Sequence, residues 1–458
     1  MPASRTDSLE FTPTARTLAF ALDELAELGT ASGGAVPAAE RRAALETYLG
    51  FPAPRSSHPR RLRHDYAALA FDDLVWASGR VRVPAPPPGL PSRDASGSGD
   101  APALAVDNAG GIVHAASAYL QPVTTRGDAR VTLAALSDAV RAVPDRVGAV
   151  RGRIARVADD RFVALATAFQ NCGAYVDVPP GIALEVPLQI VWTGAPGPPQ
   201  AVFAQTVVRI GAGARVTIVE RHVGNVDGFV CGTVELDVGP GARVDYVVVQ
   251  EVDDGARALV TRAARCASGA TVSWHLAELG GALVRSVVAT QLAGPGARAE
   301  TNALFFAREF TTVDLHVSCV HDAAHTTSQT LARVAATDRG VGRFFGDIAI
   351  APHVRGAGAV MRVDGLVLSR DAYLEAVPTL AIATNDVSAA HRATIGSLDE
   401  AQLFYVRARG ISRGRAEHML ALAFFEAAIA YFPSETLRDE IRTALDTLLE
   451  EIPDTFSA

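Results

Sequence analysis

Four copies of one short motif constrain this chain more than any other feature in it. Gly213-Ala214-Arg215-Val216, Gly241-Ala242-Arg243-Val244, Gly269-Ala270-Thr271-Val272 and Gly296-Ala297-Arg298-Ala299 all read Gly-Ala-x-apolar, with their glycines 28, 28 and 27 residues apart. A turn that returns at a fixed period in this range, each time leading into the same kind of segment, is the signature of a solenoid. The segments themselves are strand-like. Val216-Thr217-Ile218-Val219, Val244-Asp245-Tyr246-Val247 and Val272-Ser273-Trp274-His275-Leu276 are β-branched and bounded by glycine, as are Tyr175-Val176-Asp177-Val178 and Leu184-Glu185-Val186 upstream. A strand-only repeat predicts a β-helix, each coil stacking its inward residues on the next. From Ala174 to Gly396 no helical spacing intervenes, which is far too long a stretch for one flat sheet.

Helical spacing brackets this region. Leu18, Leu22, Leu25 and Leu28, then a second pattern beginning at Pro37, predict two helices over residues 14–49. A less regular segment, Tyr66 to Trp76, precedes a Pro-, Gly- and Ser-rich run from Val83 to Ala103, expected to be a linker because it has little apolar surface to bury. Short helical pieces are expected at Leu133–Val143 and Arg161–Asn171. Past the strands, Ser397 and Glu400 have the spacing of a capping box. The helix then runs through Leu403, Phe404 and Tyr405, with Arg407 and Arg409 in its last turn and Gly410 behind. Leu420, Phe424, Ala427 and Tyr431 share a face of the next helix, and Ser434 can cap a last one striped with Leu437, Ile441, Leu445, Leu448 and Ile452. The expected organisation is a helical region over 1–82, a linker over 83–103, a mixed segment over 104–173, a β-helix core over 174–396 and a helical domain over 397–458.

Composition excludes several classes of function. The balance of 42 basic and 50 acidic residues gives −8, and the one basic cluster, Arg55 to Arg63, is short, so nucleic acid is not an expected partner. Cys172, Cys231, Cys266 and Cys319 are far apart and never form C-x-x-C, against a disulfide framework or a self-contained zinc or iron–sulfur site. Asp23, Glu24 and Glu27 interrupt the only apolar run near the N-terminus, and no uncharged apolar stretch reaches a membrane span, so a soluble, cytoplasmic chain without membrane contact is expected. Nucleophile elbow, Walker loop, metalloprotease helix and dinucleotide fingerprint are missing. Many β-helices process polysaccharides, which makes a carbohydrate-active enzyme a remote alternative. The carboxylate pairs Asp72-Asp73, Asp159-Asp160 and Asp253-Asp254 sit at turn-like positions, however, and aromatics make up only 6% of the chain.

The histidines divide into two groups. His316, His321 and His325 fall near Asp314, Cys319 and Asp322, but strand alternation turns His316 outward with Asp314 and Ser318, on the face opposite His321. A strand followed by a polar turn is the expected reading, with a metal site as its alternative. His391 sits at the boundary between the last strand and the capped helix, and a lone histidine there is more often structural than chemical.

That boundary carries a family resemblance. Asn385-Asp386-Val387, His391-Arg392-Ala393-Thr394-Ile395-Gly396, Leu398-Asp399-Glu400, Leu403-Phe404-Tyr405 and Arg407-Ala408-Arg409-Gly410-Ile411 resemble the C-terminal signature of the SufB/SufD family, the scaffold components of SUF iron–sulfur cluster assembly. Phe162 to Leu165, Val178-Pro179-Pro180-Gly181, Gly280 to Arg285, Thr327-Ser328-Gln329 and Phe345-Gly346-Asp347-Ile348 extend it over residues 160–432, closest to the SufD branch. The resemblance implies a mainly β fold, a right-handed parallel β-helix between helical domains, and a scaffold that turns over no substrate. It implies pairing with a SufB-like subunit through the end of the β-helix, and binding of a SufC-like ABC-type ATPase through the C-terminal helices. Leu403, Phe404, Tyr405, Arg407 and Arg409 are the candidate ATPase contacts. His391 matches the family's histidine implicated in cluster assembly, so it is the candidate ligand for iron or for a transient cluster shared with SufB, with Arg392 beside it and no cofactor permanently bound. Two positions depart from the pattern: Ala389 stands where the family often has cysteine, and Arg392 where glycine is usual. These departures keep open a self-associating paralogue, a homodimer acting as a binding or regulatory module without cluster assembly.

Overall fold

The computed structural model describes residues 35–51, 75–76, 110–115, 118–123, 128–193, 200–224 and 228–450. The chain winds as a parallel β-solenoid, alternate strands falling into two ten-stranded sheets that face each other across a common interior. From Arg215 onward nearly every strand is ten residues long, and each pairs in parallel, in register, with the strand one coil away. Because register is preserved, residues at matching positions point the same way and stack into columns. One interior column runs Leu188, Ile218, Tyr246, Trp274, Thr301, Thr330, Met361. These columns fill a dry core in which Trp274, Tyr246, Phe305 and Phe344 are fully buried, each worth roughly 1.5–3 kcal/mol in burial alone.

The repeat glycines do the work anticipated for them. Gly213, Gly241, Gly269 and Gly296 all have φ between 65° and 72°, a region that costs L-residues their Cβ clearance. The series is longer than four, for Gly181, His325 and Gly356 hold the same conformation at the same corner. At each corner one N–H donates to the carbonyl of the next coil's corner: Gly181 to Ala212, Gly213 to Pro240, Gly241 to Ser268, Gly269 to Pro295, Gly296 to Ala324, His325 to Arg355 and Gly356 to Asp386.

Helices cover the outer faces. Helices α1 (Ala38–Gly50) and α4 (Arg161–Phe169) pack on the first sheet through Phe203, Phe229 and Leu259. Between them lie α2 (Leu136–Ala142) and α3 (Pro144–Gly148). The Glu235 carboxylate, on a strand of that sheet, accepts the N–H groups of Gly152, Arg153, Ile154 and Ala155 and pins the intervening loop. On the second sheet, α6 (Arg413–Ile429) and α7 (Glu435–Glu450) bury Phe425, Ile429, Ile441 and Leu445 against Val219, Val247, Val249, Leu304 and Phe306. Arg221 reaches out to Glu440 as a bidentate ion pair, and Asn302 Nδ2 donates to the Ala428 carbonyl at 2.8 Å.

Several local expectations need correction. Leu133 belongs to a strand, Thr132–Ala135, that pairs antiparallel with Cys172–Val178, and the helix begins only at Leu136. Leu184–Val186 forms no strand; one bridge from Ala183 to Arg215 is all the pairing there. The sheets also start earlier than Ala174, since Gly110–Ala115 pairs in parallel with Leu188–Thr193 and Val75–Trp76 with Gln200–Ala201. On α6 the buried face is Ala421, Phe425, Ala428 and Ile429, one position along from the expected stripe, leaving Tyr431 half-exposed to solvent at 51%. The helix at Leu18–Leu28, the 83–103 run and Ile452 lie outside the described residues. No described helix is long and apolar enough to cross a membrane.

Candidate functional site

Among the described residues, the C-terminal end of the solenoid is uncovered. Its last two strands, Tyr373–Ile382 and Val387–Gly396, each pair on one side only, with Val341–Ile350 and Ala357–Val367. Their inward residues continue the interior columns without a coil above them: Leu374, Ala376 and Leu380 on one sheet, Val387 and Ala389 on the other, all partly buried on the core. Unpaired edges of this length invite a further strand.

His391 belongs to this surface. It pairs with Met361, so it is the terminal member of the column Tyr246, Trp274, Thr301, Thr330, Met361. Met361, one coil back, is 1% exposed, whereas His391 on the last described coil is exposed. The sequence places Arg392 beside it, but strand alternation sends the two to opposite faces. Arg392 pairs with Arg362 on the outer face, its Nη2 3.6 Å from Asp364 Oδ1. Arg392 therefore faces away from the imidazole.

The strand hands over to α5 (Glu400–Arg407) through three residues. Its cap is Asp399, whose carboxylate accepts the N–H groups of Ala401 and Gln402, in place of the expected Ser397. Leu403 is buried at 1%, whereas Phe404 and Tyr405 are 74% and 59% exposed. Arg409 lies past the helix end and stacks on the Tyr405 ring at 4.5 Å, while Arg407 closes the last turn. The candidate ATPase contacts thus split into one anchor, Leu403, and an outward aromatic and basic face.

Metal ligands are sparse. All four cysteines are buried, and burial pushes their thiols up, Cys319 to about 12. His316 faces outward as expected, stacked on Phe345 at 4.5 Å, and His321 is sealed inside by Thr326 and Ser328. Among the described residues no three His, Cys, Asp or Glu side chains converge on a metal-sized site. Sequence reading missed two charged groups. One is inside the solenoid, where Glu220 accepts from Arg262 and Tyr246, both at 3.0 Å, and Arg262 also nears Glu278 at 3.7 Å. Burial alone would push the Glu220 carboxyl up; the Arg262 guanidinium and His222 hold it far below the usual carboxylate range. The other is the arginine group around Asp364. Carrying the repeat register forward coil by coil from Gly296 was the signal that would have aligned the second group.

Residues 191–424, just over half of the chain, match the family model described as the SufBD core domain of SUF system FeS cluster assembly. The chain is 27% identical over 282 residues to an iron–sulfur cluster assembly SufBD family protein of Mycobacterium leprae, covering 60% of this chain and 32% of that one. A SufBD family protein of Staphylococcus saprophyticus is 27% identical over 281 residues, covering 61% of this chain and 60% of that one. The iron–sulfur cluster assembly protein SufB of Bacillus subtilis is 26% identical over 280 residues, with 60% of each chain covered. The chain thus spans between 32% and 60% of the length of these curated relatives.

Proposed function

The chain belongs to the SufBD family of iron–sulfur cluster assembly proteins, and from that premise we propose that it is a SufD-like scaffold subunit. In this reading it catalyses nothing itself, pairs by its open end with a SufB-like subunit, and binds a SufC-like ABC-type ATPase through α5. The observation that carries it is the open end, with one exposed imidazole set among apolar inward residues. A neutral imidazole nitrogen suits iron. The nascent cluster is cargo, held transiently: His391 supplies one nitrogen, and the thiolates come from the partner, because this chain's own thiols are buried and protonated. Arg392 contributes on the outer face, to the partner and not to the cargo. ATP-driven movement of α5 would reach the open end directly, since only three residues separate Gly396 from the helix.

The test is His391→Ala in the reconstituted complex, with cluster formation followed by visible absorbance. A loss of about 10-fold or more is expected for a ligand. Unchanged assembly would remove the histidine's task and leave the scaffold role standing. A second reading is supported by Ala389, which is partly buried on the core and offers no thiol: a self-associating paralogue that builds no cluster. Co-purification separates the two, a complex with SufB- and SufC-like proteins supporting the first and a homodimer indifferent to both supporting the second.

A further inference from the structure

Charges on the outer face of the first sheet alternate from coil to coil. Asp177, Arg209, Asp237 and Arg265 share one register position, and Arg285, Asp314, Arg343 and Glu375 share another. Asp237 and Asp314 each stand between cations one strand spacing away on either side. The second sheet ends differently. Arg362 and Arg392 stack on consecutive coils, with Asp364 and Thr394 beside them one position on. Asp364 is the shared counter-ion, 2.7 Å from Arg362 Nε, 3.0 Å from Arg333 Nη1 and 3.6 Å from Arg392 Nη2. One carboxylate against three guanidiniums leaves the group positive by two charges.

The group is also incompletely bonded. Arg333 lies over the Phe424 ring at 5.0 Å, and its Nε is buried with no acceptor. Arg392 and Arg362 keep 59% and 48% of their side-chain surface open to solvent, and Thr394 is exposed in register with Asp364. A strand added beyond Val387–Gly396 would run about 4.8 Å from the Arg392 backbone and about twice that from Arg362, within reach of both long side chains.

We propose that Arg362, Arg392 and Thr394 are half of an intermolecular ion-pair site, completed by a carboxylate side chain of the subunit that covers the open end. The proposal rests on the reading of that end as a subunit interface. It gives the interface a register, since the carboxylate belongs at the outward position that continues the Arg362–Arg392 column. It also assigns the two faces of the last strand separate tasks: His391 inward to the cargo, Arg392 outward to the partner.

The test measures the affinity of the full-length chain for its SufB-like subunit, as a function of salt, for Arg392→Glu, Arg362→Glu/Arg392→Glu and Asp364→Asn. Charge reversal at Arg392 is expected to weaken binding about 10-fold or more, the double variant further, and both to flatten the salt dependence. Asp364→Asn removes the competing carboxylate and is expected to tighten binding several-fold, an effect of opposite sign to any loss of structure; near-UV circular dichroism confirms the fold of each variant. Unchanged affinity in the double variant overturns the proposal, as does weakening by Asp364→Asn in a folded protein. If the arginine variants lose binding of inorganic phosphate but keep their affinity for the subunit, the site takes a free anion and the proposal falls. If the wild-type chain does not bind the subunit, the scaffold reading fails separately and the series is read on self-association. A dimer constant that ignores the substitutions, or the lack of any dimer, overturns it there.

Discussion

At the scale of residues, the corner series shows how one position can be legible and its neighbour hidden. Four glycines announced themselves by constant spacing, but the next corner is His325 and the one after it Gly356, at spacings stretched to 29 and 31. The register holds because the corner hydrogen bond needs only the left-handed backbone, and His325 adopts it at φ 57°. Its ring then occupies the space over Gly356, where an added Cβ would come within 2.5 Å of Nδ1, whereas a Cβ at Gly213 would meet nothing within 4 Å. Gly213→Ala should therefore cost the conformational strain alone, about 1–2 kcal/mol. Gly356→Ala should cost clearly more, and the excess should vanish when His325→Gly is combined with it. Urea unfolding of the four variants measures this coupling; equal costs at the two glycines would show that the ring moves aside freely. His391 was legible as a residue and not as a direction, because facing follows from register, and register from the partner strand.

At the scale of elements, the strands were legible where they alternate in isolation and obscure where a partner dictates them. Thr132–Ala135 is a strand only because Cys172–Val178 offers it an edge, and the α5 cap fell to Asp399 because its carboxylate lies nearer the first free N–H groups. The strand Thr312–His321 carries a consequence for pH. Burial first, then the nearby Arg285 cation, lowers His316 to about 4, and burial alone does the same to His321. An unfolded imidazole titrates near 6.5, so as pH falls from there to about 4 the unfolded chain takes up protons that the folded chain refuses. Stability is full above that window and declines through it. His316→Phe keeps a ring on Phe345 and removes one of the two refusals. Its urea midpoint should match wild type at pH 7 and exceed it at pH 5, by about 2 kcal/mol in stability. Parallel losses in both proteins would show that His316 is protonated in the folded state.

At the scale of the whole molecule, the helical tail is part of the core and not an appendage. Truncation before Ser397 would uncover Val219, Val247, Val249, Leu304 and Phe306 together, a contiguous apolar face of the second sheet. The truncated chain is expected to aggregate, as light scattering would report. Phe404→Asp, which alters a side chain 74% exposed, should keep the wild-type melting profile while abolishing capture of a SufC-like ATPase; retained capture would move that contact elsewhere. The tripartite order of helices, solenoid and helices was readable from periodicity, but how the tail grips the sheet was not, since Arg221 and Glu440 are 219 residues apart. The corner hydrogen bonds extend the point beyond packing. They link one peptide group per coil, carbonyl to N–H, in an unbroken file from Gly181 to Asp386. Each peptide carries a dipole of about 3.5 D, and files of aligned dipoles behave as partial charges at their ends. The last peptide joins Asp386 to Val387, and since its carbonyl accepts from Gly356, its trans N–H points out of the open end. A chain with a formal charge of −8 therefore carries a positive electric pole at the open end of its described solenoid, a field that favours an acidic surface over a basic one at that face.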